Sequence, residues 1–100
     1  MRMPEPVRVL VERGRCHLLI RGRVQGVGFR YYAAHQARLL TLGGFIRNLP
    51  SGQVEAEVEG SKEAVEAFIS RVRRGPAGAA VAGVDVRWVD PLGEEGFRIE

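Results

Sequence analysis

Residues 53–59 carry the pattern that most restricts how this chain can fold: Val54, Ala56 and Val58 alternate without a break with Glu55, Glu57 and Glu59. A period of two turns alternate side chains to opposite faces, so this segment is a strand with one buried face and one carboxylate-bearing face toward water. Such a strand belongs to an antiparallel sheet covered on one side only. What covers that side must come from the rest of the chain. Residues 15–22 form a second strand with Cys16, Leu18 and Ile20 on one face and His17, Leu19 and Arg21 on the other. Two segments have helical spacing instead. Phe29, Ala33, Ala37 and Leu40 share a face of a helix over residues 29–40, which Gly43 and Gly44 end. Val65, Phe68, Ile69 and Val72 share a face of another, with Ser61 as its N-cap, Glu63 in its first turn, and Arg71, Arg73 and Arg74 near its negative end.

Residues 45–48 make a short strand and residues 49–52 a turn. A loop at 77–83 precedes an alternating strand at 84–89, and residues 97–100 make a terminal strand. The order βαββαβ with a fifth strand is the α+β, ferredoxin-like sandwich: an antiparallel sheet of four to five strands with two helices on one face. At 100 residues the chain is one domain. Residues 14–100 form it, and residues 1–13 are an N-terminal extension in which alternating Val7, Val9 and Val11 suggest a short edge strand. Prolines and charges break that N-terminus, so it is not the apolar stretch of a signal peptide, and no apolar run is long enough to span a bilayer. The expected address is the cytoplasm, which suits a single unpaired cysteine, Cys16.

This fold hosts many functions, so function must be sought in particular residues. His and Cys are too few and too scattered for a metal cluster, and neither a Walker Gly-Lys-Ser nor a Ser-His-Asp relay is present. His35 is on the helix face away from the apolar stripe and reads as solvated. Cys16, at the start of a strand, reads as a small buried hydrophobe. The net charge is +3, and fourteen of the fifteen basic side chains are Arg, which suits an anionic substrate. The arginines are spread along the chain without a basic block.

The informative segment is 22–30. A strand ends, Gly26 and Gly28 relax the backbone, and a helix begins at Phe29. Successive N–H groups can then converge on one point at the positive end of a helix dipole, a site for a phosphate-sized anion to which Arg30 could add a two-pronged contact. The same glycines also suit an ordinary strand-to-helix turn, and physics alone leaves both open. Asn48, just before a turn, is a second candidate, but taken alone it reads better as a turn residue bonding its own backbone.

Gly22-Arg-Val-Gln-Gly-Val-Gly-Phe-Arg30 resembles the acylphosphatase signature G-x-V-Q-G-V-x-F-R. Gly44-Phe-Ile-Arg-Asn48 followed by Ser51-Gly-Gln-Val-Glu55 resembles the family's second signature, G-[WF]-[VI]-R-N-x-x-[DN]-G-x-V-E, and the eighteen-residue interval from Arg30 to Asn48 fits as well. The resemblance extends over residues 15–100; Ser51 departs from it, standing where an acidic or amide residue is usual. It implies a cofactor-free, metal-free hydrolase of acyl phosphates. The backbone N–H groups of Gln25, Gly26, Val27, Gly28, Phe29 and Arg30 would cradle the phosphoryl group, Arg30 would bind it, and Asn48 would hold the attacking water. A free phosphate or sulfate ion would fit the same cradle. The family prior is a monomer with no nucleic-acid or membrane partner. Two alternatives share the fold. One is a carbamoyl-phosphate-handling domain of a larger maturation protein. The other is an RNA-binding module, which would need aromatics on its central strands where this chain has glutamates.

Overall fold

The computed structural model describes residues 11–100. The chain runs β1 (Arg13–Arg23), α1 (Phe29–Leu39), β2 (Gly43–Asn48), β3 (Val54–Ser61), α2 (Lys62–Arg74), β4 (Ala80–Val89) and β5 (Phe97–Ile99). The strands form one sheet in the order β4-β1-β3-β2-β5. The edge strand expected around Val7 and Val9 lies outside the described residues.

Register follows from the two alternating segments. Cys16 pairs with Val58, Leu18 with Ala56 and Ile20 with Val54, so apolar side chains meet on one face and all six are fully buried. Both helices cover that face. α1 contributes Phe29, Ala33, Ala34 and Ala37; α2 contributes Val65, Phe68 and Val72. The alanines let α1 approach the sheet closely, and Leu40, expected on this stripe, is only partly buried beyond the helix end. Ser61 caps α2 by accepting a hydrogen bond from the Ala64 N–H at 3.1 Å.

Four expectations need correction. Gly43 and Gly44 do not end α1. Thr41 does so in the left-handed region (φ 57°), with the Leu42 N–H reaching back to the Ala37 carbonyl at 2.8 Å, while both glycines begin β2. They are small because backbones crowd there: a Cβ on Gly43 or Gly44 would strike the Glu94 or Glu57 carbonyl oxygen. Second, β4 starts at Ala80, so residues 80–83 of the expected 77–83 loop are strand, paired to β1 across an irregularity at Arg21 and Gly22. Third, the sheet is mixed, because β5 lies parallel to β2 with Gly44 beside Phe97. Residues 90–96 carry the chain from one sheet edge to the other across the strand ends, so β5 must run back opposite to β4 and along β2.

The fourth correction concerns the carboxylate face. Glu59 is 1% exposed, not solvated. It accepts hydrogen bonds from Arg15 Nη1 (3.0 Å) and from the N–H groups of Leu92 and Gly93 (both 2.7 Å). Arg15, also buried, donates its Nε to Glu57 (2.7 Å) and Nη2 to Glu94 (3.1 Å). Burial alone would raise the Glu59 carboxyl. The Leu92 N–H, the Arg15 guanidinium and the Gly93 N–H outweigh it and hold the group below the usual carboxylate range. Farther along the same face, Glu55 lies 2.9 Å from His17 Nε2 and accepts from Arg47 Nε at 2.6 Å.

Candidate functional site

β1 and β2 both run antiparallel to β3, so their C-terminal ends share one end of the sheet. That end brings together the connection over residues 24–28, the first turn of α1, and Asn48. Val24 and Phe29, each 1% exposed, anchor the two ends of the connection in the core. Between them Gly26 (φ 73°) and Gly28 (φ 74°) are left-handed, a conformation glycine adopts without the penalty a Cβ imposes. An added Cβ would meet nothing at either position, so it is the backbone angle and not crowding that calls for glycine.

The N-terminus of α1 is electrostatically open. Its N-cap is Gly28, no side chain caps it, and no acidic residue stands in its first turn. The free N–H groups and the positive end of the helix dipole are therefore uncompensated, whereas at α2 Ser61 and Glu63 fill those roles. A pocket of about 200 Å³ opens at this helix end, lined by Val24, Gly26, Gly28, Phe29, Arg30, Tyr31 and Asn48. The two residues singled out as catalytic candidates, Arg30 and Asn48, thus meet in one pocket although eighteen positions separate them.

Arg30 is half-buried, and its Nη1 donates to the Glu100 main-chain oxygen at 2.9 Å. That bond steers the guanidinium while its other N–H groups remain available. Asn48 is exposed at the end of β2. The turn after it closes without its side chain: the Leu49 N–H bonds the Gln53 carbonyl (2.9 Å), the Gly52 N–H bonds the Leu49 carbonyl (3.1 Å), and the Gln53 N–H bonds Ser51 Oγ (3.3 Å). Ser51 therefore supplies a side-chain bond within the turn, and Asn48 is left to face the pocket.

Gln25 and Val27 do not line this pocket with their side chains. Val27 packs partly against the core, and Gln25 Nε2 donates to the carbonyls of Leu49 and Gln53, both at 2.8 Å. Tyr31, 69% exposed, lines the pocket and was not singled out from the sequence, since nothing in the sequence separates it from Phe29 and Tyr32 in the same first turn. Cys16 lies deep in the core, where burial pushes its thiol up to about 11, so it is no nucleophile here. His17 pairs with Glu55 on the open sheet face, and His35 is exposed on α1. Among the described residues, no three His, Cys, Asp or Glu side chains converge as metal ligands would. A larger cavity, about 480 Å³, lies at the other end of α1, lined among others by Arg13, Arg38, Glu94 and Glu95. Its opposed charges and its place beside a helix C-terminus make it a poor seat for a phosphate.

The acylphosphatase family profile matches residues 16–99, which include both the glycine connection and the Asn48 hairpin. The chain belongs to the acylphosphatase family. A curated acylphosphatase from Thermococcus kodakarensis is 51% identical over 89 residues, covering 89% of this chain and 98% of that one. Among solved structures, the acylphosphatase from Bacillus subtilis superposes with a TM-score of 0.85 at 32% identity, covering 87% of this chain and 98% of that one. Full-length HypF in its phosphate- and nucleotide-bound form contains a similar region (TM-score 0.82, 27% identity) that covers 92% of this chain and 12% of HypF. The family match favours the acylphosphatase reading over the RNA-binding one. The open sheet face of this acylphosphatase-family chain agrees with that. It carries ion pairs of Arg15 and Arg47 with glutamates and a hydrogen bond between His17 and Glu55, and Phe45 lies beneath the guanidinium groups of Arg47 and Arg98.

Proposed function

We propose that this chain hydrolyses the carboxyl–phosphate anhydride of acyl phosphates, using Arg30 and Asn48 and no metal ion. The observation that carries this is the pocket in which an uncapped helix N-terminus faces both side chains. Phosphoryl oxygens would accept hydrogen bonds from the backbone N–H groups of residues 25–30, and Arg30 would offset charge developing on them. Asn48 would hold a water in line with the phosphorus–oxygen bond to the acyl group. Attack forms a new P–O bond to water, the anhydride P–O bond breaks, and its electron pair leaves on the carboxylate.

The residue types fit that substrate class. Neither Arg nor Asn accepts a proton near neutral pH, so the reaction must proceed without a protein base or acid. A carboxylate departs unprotonated, and a phosphoryl oxygen of the substrate takes the proton of the attacking water. An acyl phosphate dianion thereby becomes a carboxylate and dihydrogen phosphate. An alkoxide leaving group would need a proton that this site does not supply, so alkyl phosphates should be poor substrates. The rest is positioning and charge stabilisation, on which phosphoryl transfer mainly depends.

The same proposal takes residues 14–100 as the catalytic domain, residues 1–13 as an extension, and the protein as a cytoplasmic monomer. It draws on a family match that starts at Cys16, on a buried free thiol, and on the lack, among the described residues, of a helix long and apolar enough to cross a membrane. The test is turnover of benzoyl phosphate beside an alkyl phosphate, both with excess chelator. Hydrolysis of the acyl phosphate alone is expected. Loss of activity on chelation, or comparable turnover of the alkyl ester, would contradict the mechanism.

A further inference from the structure

The two sides of the pocket come from separate parts of the chain. Residues 24–28 follow β1, Asn48 ends β2 just before the turn at residues 49–53, and β3 stands between those strands in the sheet. Among the described residues, the hydrogen bonds that join these connections are the two made by the Gln25 side chain. One amide nitrogen donates to the Leu49 and Gln53 carbonyls, both at 2.8 Å, so its two protons are both used. The acceptors are not arbitrary. They are the same carbonyls that take the turn's own closing bonds from the Gly52 and Leu49 N–H groups. Gln25 thus grips the hairpin at its hinge, directly after Asn48, from within the connection that forms the opposite wall of the pocket.

We infer that Gln25 is a positioning residue, whose side chain sets Asn48 at its working distance from the phosphate-binding backbone. The inference rests on the acyl phosphate hydrolysis proposed above and adds a role that the Gln25 backbone N–H does not have. A carboxylate at this position would repel two carbonyl oxygens, and an apolar isostere would leave them with only the turn's own N–H donors. In either case the hairpin end carrying Asn48 loses its tie to the other wall. Misplacement of a positioning group by about 1 Å lowers turnover by as much as about a hundredfold. The phosphate cradle itself, made of backbone N–H groups and Arg30, does not depend on the Gln25 amide.

The experiment is benzoyl phosphate hydrolysis by wild type, Gln25→Met, Asn48→Ala and the double variant, with inhibition by inorganic phosphate and the melting temperature measured for each. Gln25→Met is expected to lower kcat by about tenfold to a hundredfold. Its phosphate inhibition constant should stay within about twofold of wild type, because the cradle is intact. The double variant should be no slower than Asn48→Ala alone, since Gln25 acts through Asn48. Three results would overturn the inference: unchanged kcat in Gln25→Met, a matching loss of phosphate affinity, or losses that multiply in the double variant. If Gln25→Met is unfolded at the assay temperature, Gln25→Asn serves in its place, keeping the amide but withdrawing it by one methylene. Inactive folded wild type would defeat the proposed function itself, whereas active wild type with an equally active Gln25→Met would defeat only the positioning role.

Discussion

Replacing Glu59 with Gln tests whether the buried ion pair at the far end of the sheet holds the fold together. The carboxylate accepts three hydrogen bonds, from Arg15 and from the Leu92 and Gly93 N–H groups. An amide of the same shape keeps one acceptor oxygen and turns an NH₂ toward the remaining donor. With the oxygen serving Arg15 and Leu92, the Gly93 N–H is left unsatisfied, which costs about 1–3 kcal/mol. Loss of the charge adds to this, and breaking a buried pair outright costs about 3–5 kcal/mol. Arg15 keeps Glu57 and Glu94, so the sum should lie at the lower end, about 3 kcal/mol. For a domain of this size that lowers the melting temperature by about 12–24 °C. Thermal and urea unfolding followed by circular dichroism would measure it, with an unchanged m-value as the sign that the folded state is the same. Because Glu59 is remote from the Arg30 pocket, kcat at 25 °C should be unaffected while the protein stays folded. A loss under about 1 kcal/mol, the worth of an exposed pair, would refute the reasoning.

Other consequences follow from the same contacts. The carboxyls of Glu55, Glu59 and Glu94 are all held below their usual range: Glu55 chiefly by His17, and Glu59 and Glu94 by donors that outweigh burial. A depressed folded-state pKa contributes stability above the unfolded value, about 4.3 for Glu, that is lost as pH falls through the folded values. The melting temperature should hold from pH 7 to about 5 and then drop, less steeply in Glu59→Gln; equal stability at pH 7 and pH 3 would contradict this. Ser61→Ala removes the bond to the Ala64 N–H and should cost about 1 kcal/mol with no change in kcat, as equilibrium unfolding would report.

What could be read from the sequence depended on whether a residue's role is local. The buried faces of β1 and β3 were legible because a period of two puts Cys16, Leu18 and Ile20 on one side of their strand and Val54, Ala56 and Val58 on one side of theirs, as the structure has them. The helix stripes and the Ser61 cap were legible for the same reason. Glu59 was misjudged because its pattern matches that of Glu55, and its burial comes from Arg15 and a crossing loop more than thirty residues away in sequence. The parallel β5 depends on that same loop. Thr41 hid the true end of α1, since a left-handed Thr gives no signal of its own. At the site, Gly26, Gly28, Arg30 and Asn48 stood out through glycine chemistry and motif spacing. The Gln25 side chain did not, because its partners are carbonyls 24 and 28 positions on, and carbonyls leave no mark in a sequence.

The most direct test of the central claim is a comparison of kcat and KM for benzoyl phosphate in wild type, Arg30→Ala and Asn48→Ala, with chelator present. Each variant should lose at least about a hundredfold in kcat/KM, Arg30→Ala chiefly by weaker substrate binding and Asn48→Ala chiefly by slower turnover. Full activity in either folded variant would contradict an account in which these two side chains, meeting at one open helix end, perform the hydrolysis.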